Sequence, residues 1–242
     1  MRIVSLVPSW TEYLIDLGLS NQLKGRTKFC VRVGDNKNDI AIIGGTKTFH
    51  VDKVESLQPD LIIASKEEND QSLVEACSNF SDVLLTDVKS IHGAVAACQE
   101  IARATKKEKT GQEWCDRIQQ TWGEPRTQRA RASYVVWNSP LMLAGQDTFI
   151  HAVMEWWGID NAAKDLQGKR YPEVSESKWR EMESGLALLP SEPFPFQPKH
   201  LAMFREMGKK PLLVDGEAFS WYGSRMVHVA PYLEHLASEL QA

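Results

Sequence analysis

The chain has 242 residues, of which 43% are hydrophobic and 25% are charged. This balance is typical of globular proteins and excludes a largely disordered chain. The formal net charge is -4, and no basic block is longer than the short cluster around Arg126, Arg129 and Arg131, so the composition does not favour a nucleic-acid partner.

Short apolar runs alternate with stretches at helical spacing, which predicts a parallel α/β fold. The predicted strands are residues 3–7, 60–64, 83–86, 133–137, 186–189 and 211–214. The second half repeats the rhythm of the first, because residues 59–68 resemble residues 185–192, and the strand that follows ends near Asp87 or Asp215. Two similar lobes explain this repetition.

A long helical stretch lies between the two halves, and no Gly/Ser-rich or Pro-rich linker separates them. Its two apolar faces contain Ile91, Ala94, Val95, Cys98, Ile101 and Ala102, followed by Trp114, Cys115, Ile118 and Trp122. The polar segment that contains Pro125 is expected to end the helix. We therefore predict an amino-terminal lobe over residues 1–106, a connecting helix over 107–130 and a second lobe over 131–242.

The start of the chain and the cysteines bear on the cellular compartment. The apolar run at residues 3–7 is broken by Ser5 and ends at Pro8, so it is too short for a signal-peptide core or a membrane span. This leaves open either a cytoplasmic protein or a numbering that begins after an export signal. The four cysteines form no C-x-x-C pair, and unpaired, mostly buried thiols are expected rather than a zinc site or a disulfide scaffold.

Several motifs, taken together, resemble one known family. They lie at residues 2–12, 17–19, 25–30, 44–47, 57–64, 66–69, 147–150 and 221–225. The chain resembles the class III substrate-binding proteins with a helical backbone, which include cobalamin and ferric-siderophore receptors, over nearly its whole length. The resemblance implies two Rossmann-like α/β lobes with mainly parallel sheets, joined by one long backbone helix. It also implies a ligand cleft between the lobes and a periplasmic or cell-envelope role in import by an ABC transporter.

Ligand-facing loops follow the carboxyl ends of the strands in such receptors, in agreement with the general rule for open parallel sheets. In the first lobe the residues that match this pattern are Ser9, Trp10, Phe29, Arg32, Thr46 and Lys47. Trp10 is a large apolar plate at a turn that needs only a small polar residue, and Arg32 is suited to a carboxylate or phosphate arm of a ligand. The alternatives are that Ser9 and Thr11 only cap a helix and that Arg32 is solvated.

In the second lobe and the closing loop, the family pattern points mainly to aromatic residues. The candidates are Trp137, Tyr171, Phe194, Phe196, Trp221, Tyr222 and Arg225. Aromatic rings with an arginine suit a flat, partly anionic ligand better than a bare metal ion. We therefore expect a metal chelate or corrinoid as transported ligand and no prosthetic group. The sequence leaves open whether that ligand is cobalamin, a ferric siderophore, haem or another chelate.

Acidic residues on both lobes are candidates for docking to an ABC permease, as the resemblance implies. The candidates are Glu67, Glu68, Glu173 and Glu176, with Gln71 at the position of the first docking glutamate of the cobalamin receptors. The alternative for this group is an acidic, solvated helix start. A monomer is expected.

A bare-metal site and an enzyme are the competing hypotheses. Only His151 and Glu155 have ligand-like spacing, and a structural histidine is the simpler explanation. The sequence contains no phosphate loop, nucleophile elbow, H-E-x-x-H motif or dinucleotide fingerprint, so we predict that the chain is not an enzyme. A cytoplasmic chelate-binding or sensing protein without a permease, and a chelatase-type enzyme, remain alternatives.

Overall fold

The computed structural model describes residues 1–34, 39–128, 130–166 and 170–240, which divide into two compact units. Unit 1 comprises Met1–Val88, His92–Thr121 and Trp221–His228. Unit 2 comprises Lys89–Ile91, Trp122–Ser220 and the described residues from Val229 onward. Unit 1 thus includes a short segment from near the carboxyl terminus.

The sheet of unit 1 is parallel at every pairing of its strands. The strands are β1 (Ile3–Ser5), β2 (Leu23–Arg26), β3 (Ala41–Ile42), β4 (Leu61–Ser65) and β5 (Asp82–Thr86), in the order β3-β2-β1-β4-β5. The helices between them are α1 (Pro8–Asp16), α2 (Val51–Ser56) and α3 (Gln71–Cys77), followed by α4 (Ile91–Ala104) and α5 (Glu108–Trp122). Buried aliphatic side chains of β1 and β4, with Phe49 and Cys77, form part of the core. Because all strands run the same way, their carboxyl ends lie at one edge.

Unit 2 contains a second mainly parallel sheet. Its strands are β6 (Ala130–Trp137), β7 (Met142–Leu143), β8 (Ile159–Asn161), β9 (Leu186–Pro190) and β10 (Lys210–Val214). Strands β10, β9, β6 and β8 pair in parallel, and β7 is antiparallel to the end of β6. The helices are α6 (Phe149–Trp156), α7 (Glu176–Glu181), α8 (Leu201–Glu206), α9 (Gly216–Ser220) and α10 (Arg225–Glu239), with short 3₁₀ helices at Ala162–Asp165 and Pro198–His200. Helix α10 begins in unit 1 and continues into unit 2.

The predicted α/β fold with two mainly parallel sheets is confirmed. Each of the six predicted strands overlaps an observed strand, and the two segments with similar sequences form β4 and β9. Strand β4 pairs with β1 and β5, and β9 pairs with β6 and β10, so the similar segments occupy equivalent positions in the two sheets. The prediction missed β2, β3, β7 and β8, which are only two to four residues long.

The predicted long helical stretch consists of α4 and α5. Their predicted apolar faces are largely buried: Cys98, Ile101, Cys115 and Ile118 have 0% exposure. Helix α5 ends at Trp122, before Pro125. Its role as a connector and the lobe boundaries at residues 106 and 131 stay predictions. None of the described helices is both long and apolar enough to cross a membrane.

Candidate functional site

The turn after β1 places Ser9 and Trp10 in the first turn of α1. Trp10 has 0% exposure; its Nε1 donates to Thr86 Oγ1 at 3.0 Å, and its ring centroid lies 4.4 Å from that of Tyr222. Ser9 is buried, and its hydroxyl has no partner within the described part of the chain. The N-cap of α1 is Val7, without a side-chain cap, so the alternative that Ser9 and Thr11 cap this helix is wrong. Pro8 begins the helix instead, because a proline loses no hydrogen bond in the first turn.

The loop after β2 exposes two apolar side chains. Phe29 is 51% exposed and Val31 is 57% exposed, whereas Cys30 between them is buried. Cys30 anchors the loop, since its Sγ accepts from Thr11 Oγ1 at 3.0 Å and its carbonyl accepts from Arg26 Nη1 at 3.0 Å. Burial raises the pKa of the Cys30 thiol, so this group acts as a neutral anchor.

The loops after β3 and β4 are joined by one amide side chain. Asn69 accepts from the Ser65 amide at 2.8 Å and donates to the carbonyls of Leu6 at 3.1 Å and Thr46 at 3.0 Å. Lys47 Nζ donates to the Glu67 carbonyl at 2.8 Å. The predicted site residues Thr46 and Lys47 are therefore held in a fixed loop beside the end of β4.

The glycine pair at this loop has a conformational reason. Gly44 has a φ of 131°, and a Cβ at this position would lie 2.7 Å from the Cα of Phe49. Only glycine fits the close approach of the two backbone segments, which form an isolated antiparallel bridge between Gly44 and Phe49. The pair is thus explained by a tight turn.

The closing segment at residues 221–225 belongs to unit 1. The Tyr222 hydroxyl lies 3.2 Å from Ser65 Oγ and 3.2 Å from Glu68 Oε1. Burial, followed by the nearby charge of Glu68, raises the pKa of Tyr222 well above its ordinary value. The segment therefore binds to the carboxyl end of β4 through a neutral phenol.

Trp221 and two arginines form a cationic group in unit 1. The guanidinium carbons of Arg32 and Arg225 lie 6.0 Å and 5.8 Å from the Trp221 ring centroid. Arg225 also binds Glu12 through Nε at 2.9 Å and through Nη2. Burial raises the pKa of Glu12, against the hydrogen bonds and charge of Arg225. Arg32 is exposed, whereas Arg225 is half-buried, so Arg32 is the more accessible cation of this group.

Unit 2 presents a second aromatic group at the end of β6. Trp137 is 42% exposed, and its ring meets that of Phe194 edge to face at 5.3 Å. Phe194 in turn lies 4.7 Å from Phe196. Phe196 is 6% exposed and packs in the core of unit 2, so its ring helps to seal that core and is not a surface group. Tyr171 is half-buried.

The structure places the four candidate docking carboxylates in two different environments. Glu173 and Glu176 are exposed, and Glu176 forms an ion pair with Arg180 at 2.6 Å. Glu67 and Glu68 are half-buried, and Glu68 accepts from Tyr222. Docking by any of these residues stays a prediction.

The His151 and Glu155 pair has a structural role in unit 2. His151 Nδ1 lies 3.3 Å from Asn161 Nδ2, and Glu155 Oε1 accepts from the Asn161 amide at 3.1 Å. Burial lowers the pKa of His151. Within residues 1–34, 39–128, 130–166 and 170–240, no group of three or more His, Cys, Asp or Glu side chains is arranged to hold a metal ion.

The predicted site residues therefore form two sets. Unit 1 brings together Trp10, Tyr222, Trp221, Arg32 and Arg225, with Phe29 exposed on a neighbouring loop. Unit 2 brings together Trp137, Phe194 and Phe196. The sequence interpretation missed the exposure of Val31 and the hydrogen bonds of Asn69 and Glu12. An apolar residue on each side of Cys30 is a signal that could have revealed the exposure of Val31 together with that of Phe29.

Two mainly parallel α/β sheets with aromatic side chains near strand ends are compatible with a solute-binding protein, and comparison with known proteins identifies the class. The sequence profile of the family described as "Periplasmic binding protein" matches residues 3–183, so the chain belongs to that family. The prediction that the chain is not an enzyme is thereby confirmed, since this is a family of solute-binding proteins.

Individual relatives match over nearly the full length. The vitamin B12-binding protein of Pectobacterium carotovorum subsp. carotovorum (strain PC1) is 21% identical over 100% of this chain and 88% of its own. The periplasmic heme-binding protein BhuT, in complex with two hemes, has a TM-score of 0.83 at 18% identity and covers 100% of this chain and 99% of its own. The periplasmic vitamin B12-binding protein BtuF of Vibrio cholerae has a TM-score of 0.80 at 17% identity, with 99% and 97% covered. These structures share the fold, and the proteins are named for the ligand that they bind.

Proposed function

We propose that the chain captures a metal chelate or corrinoid, of the haem or cobalamin class, and delivers it to an ABC permease from the periplasmic side of the membrane. The observation that carries this proposal is the exposure of aromatic side chains at the carboxyl ends of parallel strands in both units. Phe29 is 51% and Trp137 is 42% exposed. Aromatic surface that is held out from a folded unit typically marks a binding site.

The anchoring of Phe29 favours a preformed ligand surface. Its neighbour Cys30 accepts a hydrogen bond from Thr11 of α1 and contacts Thr27 Oγ1 of its own loop, so the loop presents Phe29 without a large entropic cost on binding. Trp137 is held in a similar way, because its Nε1 donates to the Ser139 carbonyl at 3.1 Å and its ring meets Phe194.

Arg32 and Trp221 favour an anionic ligand. The guanidinium of Arg32 matches a carboxylate through paired hydrogen bonds, and the Trp221 ring, which is only 6% exposed, packs beside it and helps to position it. Haem carries two carboxylates at one edge, whereas the periphery of cobalamin is mostly uncharged amide. Arg32 therefore supports a carboxylate-bearing tetrapyrrole somewhat more than a corrinoid.

The test is equilibrium binding of haem, cyanocobalamin and a ferric siderophore to the purified chain, measured by calorimetry or by ligand absorbance. Phe29→Ala and Trp137→Ala should each weaken binding about fivefold or more. Each removes an aromatic contact that the ligand would bury and that contributes about 1 kcal/mol or more to binding. Arg32→Met should weaken haem binding and make it less sensitive to salt, with less effect on cyanocobalamin.

The matched controls are Leu85→Ala, an exposed apolar side chain on the edge strand of unit 1, and Trp156→Ala, a half-buried tryptophan of α6 in unit 2. Both controls should leave affinity within about twofold of the original. The proposal is refuted if none of the three ligand classes binds in the micromolar range, or if the control variants weaken binding as much as Phe29→Ala and Trp137→Ala.

A further inference from the structure

Helices α4 and α5 of unit 1 pack antiparallel with a close approach. A Cβ on Gly111 would lie 2.3 Å from the Cβ of Ala102, so the helices meet where α5 has no side chain. Gln99 Nε2 donates to Gln112 Oε1 at 3.4 Å. As residue numbers rise along α4, those of the facing residues in α5 fall, as expected for antiparallel helices.

One helical turn from the Ala102–Gly111 contact, this register brings Cys98 of α4 opposite Cys115 of α5. Both residues have 0% exposure. Cys115 Sγ donates to the Val95 carbonyl at 3.8 Å, one turn before Cys98 on α4, and the Cys98 carbonyl accepts from Tyr13 Oη at 3.2 Å. The close helix packing thus holds two thiols face to face within one buried contact.

The thiols also affect one another electrostatically. A hydrogen bond from Cys98 lowers the pKa of Cys115, against the effect of burial. Burial first, and then Cys115, raises the pKa of Cys98. The opposite directions of the two pKa shifts agree with a direct contact between the two thiols.

We propose that Cys98 and Cys115 form a disulfide bond that links α4 to α5 in an oxidising compartment. The oxidant is an external disulfide, such as oxidised glutathione. During folding, before α4 and α5 pack and bury both sulfurs, the Cys115 thiolate attacks one sulfur of that disulfide, which forms a mixed disulfide and releases one thiolate. The Cys98 thiolate then attacks the sulfur of Cys115, which forms the intramolecular bond and releases the second thiolate. The two protons of the cysteines pass to the released thiolates, so the cysteines lose two electrons and the external disulfide gains two.

The other two cysteines are placed differently and serve as internal controls. Cys30 lies against the hydroxyls of Thr11 and Thr27, and Cys77 packs among aliphatic side chains in the core around β1 and β4. The bond would close a short loop at the turn between α4 and α5, and it would fix α5 in unit 1 just before the chain enters unit 2 at Trp122.

The test is a peptide map of the full chain after it has been refolded in a glutathione redox buffer, then alkylated in denaturant and digested with trypsin without reduction. Cleavage at Lys89, Arg103, Lys109 and Arg117 places Cys98 in the peptide 90–103 and Cys115 in the peptide 110–117. We expect these two peptides to be joined, while the peptides that contain Cys30 and Cys77 are alkylated. Dithiothreitol should separate the joined pair and lower the thermal midpoint by about 6–12 °C.

Single cysteine-to-alanine variants provide a second test of which two cysteines are linked. Cys98→Ala and Cys115→Ala should each abolish the link and the effect of dithiothreitol on the midpoint, whereas Cys30→Ala and Cys77→Ala should retain both. Four alkylated cysteines in the oxidised original chain would overturn the proposal, as would a link through Cys30 or Cys77 or a link between two chains. The peptide map of the original chain decides the question even if a variant fails to fold.

Discussion

Replacing Arg225 by methionine removes the cation that faces the carboxylate of Glu12. The two side chains are each 12% exposed and are joined by hydrogen bonds from Nε and Nη2 of the arginine to the two carboxylate oxygens. Methionine keeps much of the apolar length of the side chain. The substitution therefore tests the charge more than the packing.

The expected cost lies between two limits. An exposed ion pair contributes about 0–1 kcal/mol, whereas removal of one partner of a buried pair costs about 3–5 kcal/mol because the other charge is left without compensation. At 12% exposure for both side chains, we expect a loss of about 2–4 kcal/mol in the free energy of unfolding. For a chain of this length, the thermal midpoint should fall by roughly 4–16 °C.

The loss should depend on pH with a defined sign. Burial raises the pKa of Glu12, and Arg225 opposes this effect, so the variant has a still higher folded-state pKa than the original chain. Between the unfolded pKa, about 4.3, and this raised value, the folded variant retains a proton that the unfolded chain releases. The stability of the variant therefore falls as the pH rises through that window, and the deficit at pH 7 should shrink as the pH is lowered to about 4.

Urea unfolding of the original chain, Arg225→Met, Glu12→Gln and the double variant at pH 7 and pH 4.5 measures these effects. The double variant should be more stable at pH 7 than Arg225→Met alone, because it contains no uncompensated carboxylate. The reasoning is refuted if Arg225→Met lies within about 1 kcal/mol of the original at pH 7, or if its deficit is the same at both pH values.

Two further predictions concern packing and docking. Gly111→Ala should destabilise unit 1 by about 1–3 kcal/mol, since the added Cβ would meet that of Ala102 at 2.3 Å. In urea unfolding, adding Ala102→Gly should restore the lost stability. If stability is not restored, the two helices do not meet at these residues. Glu173→Lys with Glu176→Lys should lower the ligand-stimulated ATPase activity of a partner permease in proteoliposomes by about tenfold without changing the affinity for the ligand. Glu239→Lys, an exposed carboxylate of α10 in unit 2, serves as the control. An unchanged ATPase activity would remove these two carboxylates from the docking surface.

Much of the fold could be predicted from the sequence because strands β1, β4, β5, β6, β9 and β10 contain apolar runs whose length and spacing are typical of buried parallel strands. Strand β2 was missed because residues 23–26 include Lys24, Gly25 and Arg26, so it contains no such run. Its residues form a strand through pairing with β1, a contact that local composition does not reveal.

The candidate site was harder to predict in detail. A strand-to-helix turn indicates that Trp10 lies near the carboxyl ends of the strands. It does not indicate that the Trp10 indole nitrogen donates to Thr86 or that the Trp10 side chain has 0% exposure. Similarly, Glu12 and Arg225 are 213 residues apart in sequence, and no local pattern pairs them. The surface position of Phe29 was easier to predict, because the family motif at residues 25–30 places it on a loop and the side chain is 51% exposed.

The return of residues 221–228 to unit 1 has a consequence for biosynthesis. When a ribosome has translated the first 121 residues, the emerging polypeptide still lacks Tyr222, which binds Ser65, and Arg225, which neutralises Glu12. Amino-terminal domains commonly fold while translation continues, but here unit 1 is incomplete until residues 221–228 have been translated. A nascent chain of this protein is therefore expected to expose an unfinished surface of unit 1 until residues 221–228 emerge from the ribosome, and to need protection from proteases and aggregation over that interval.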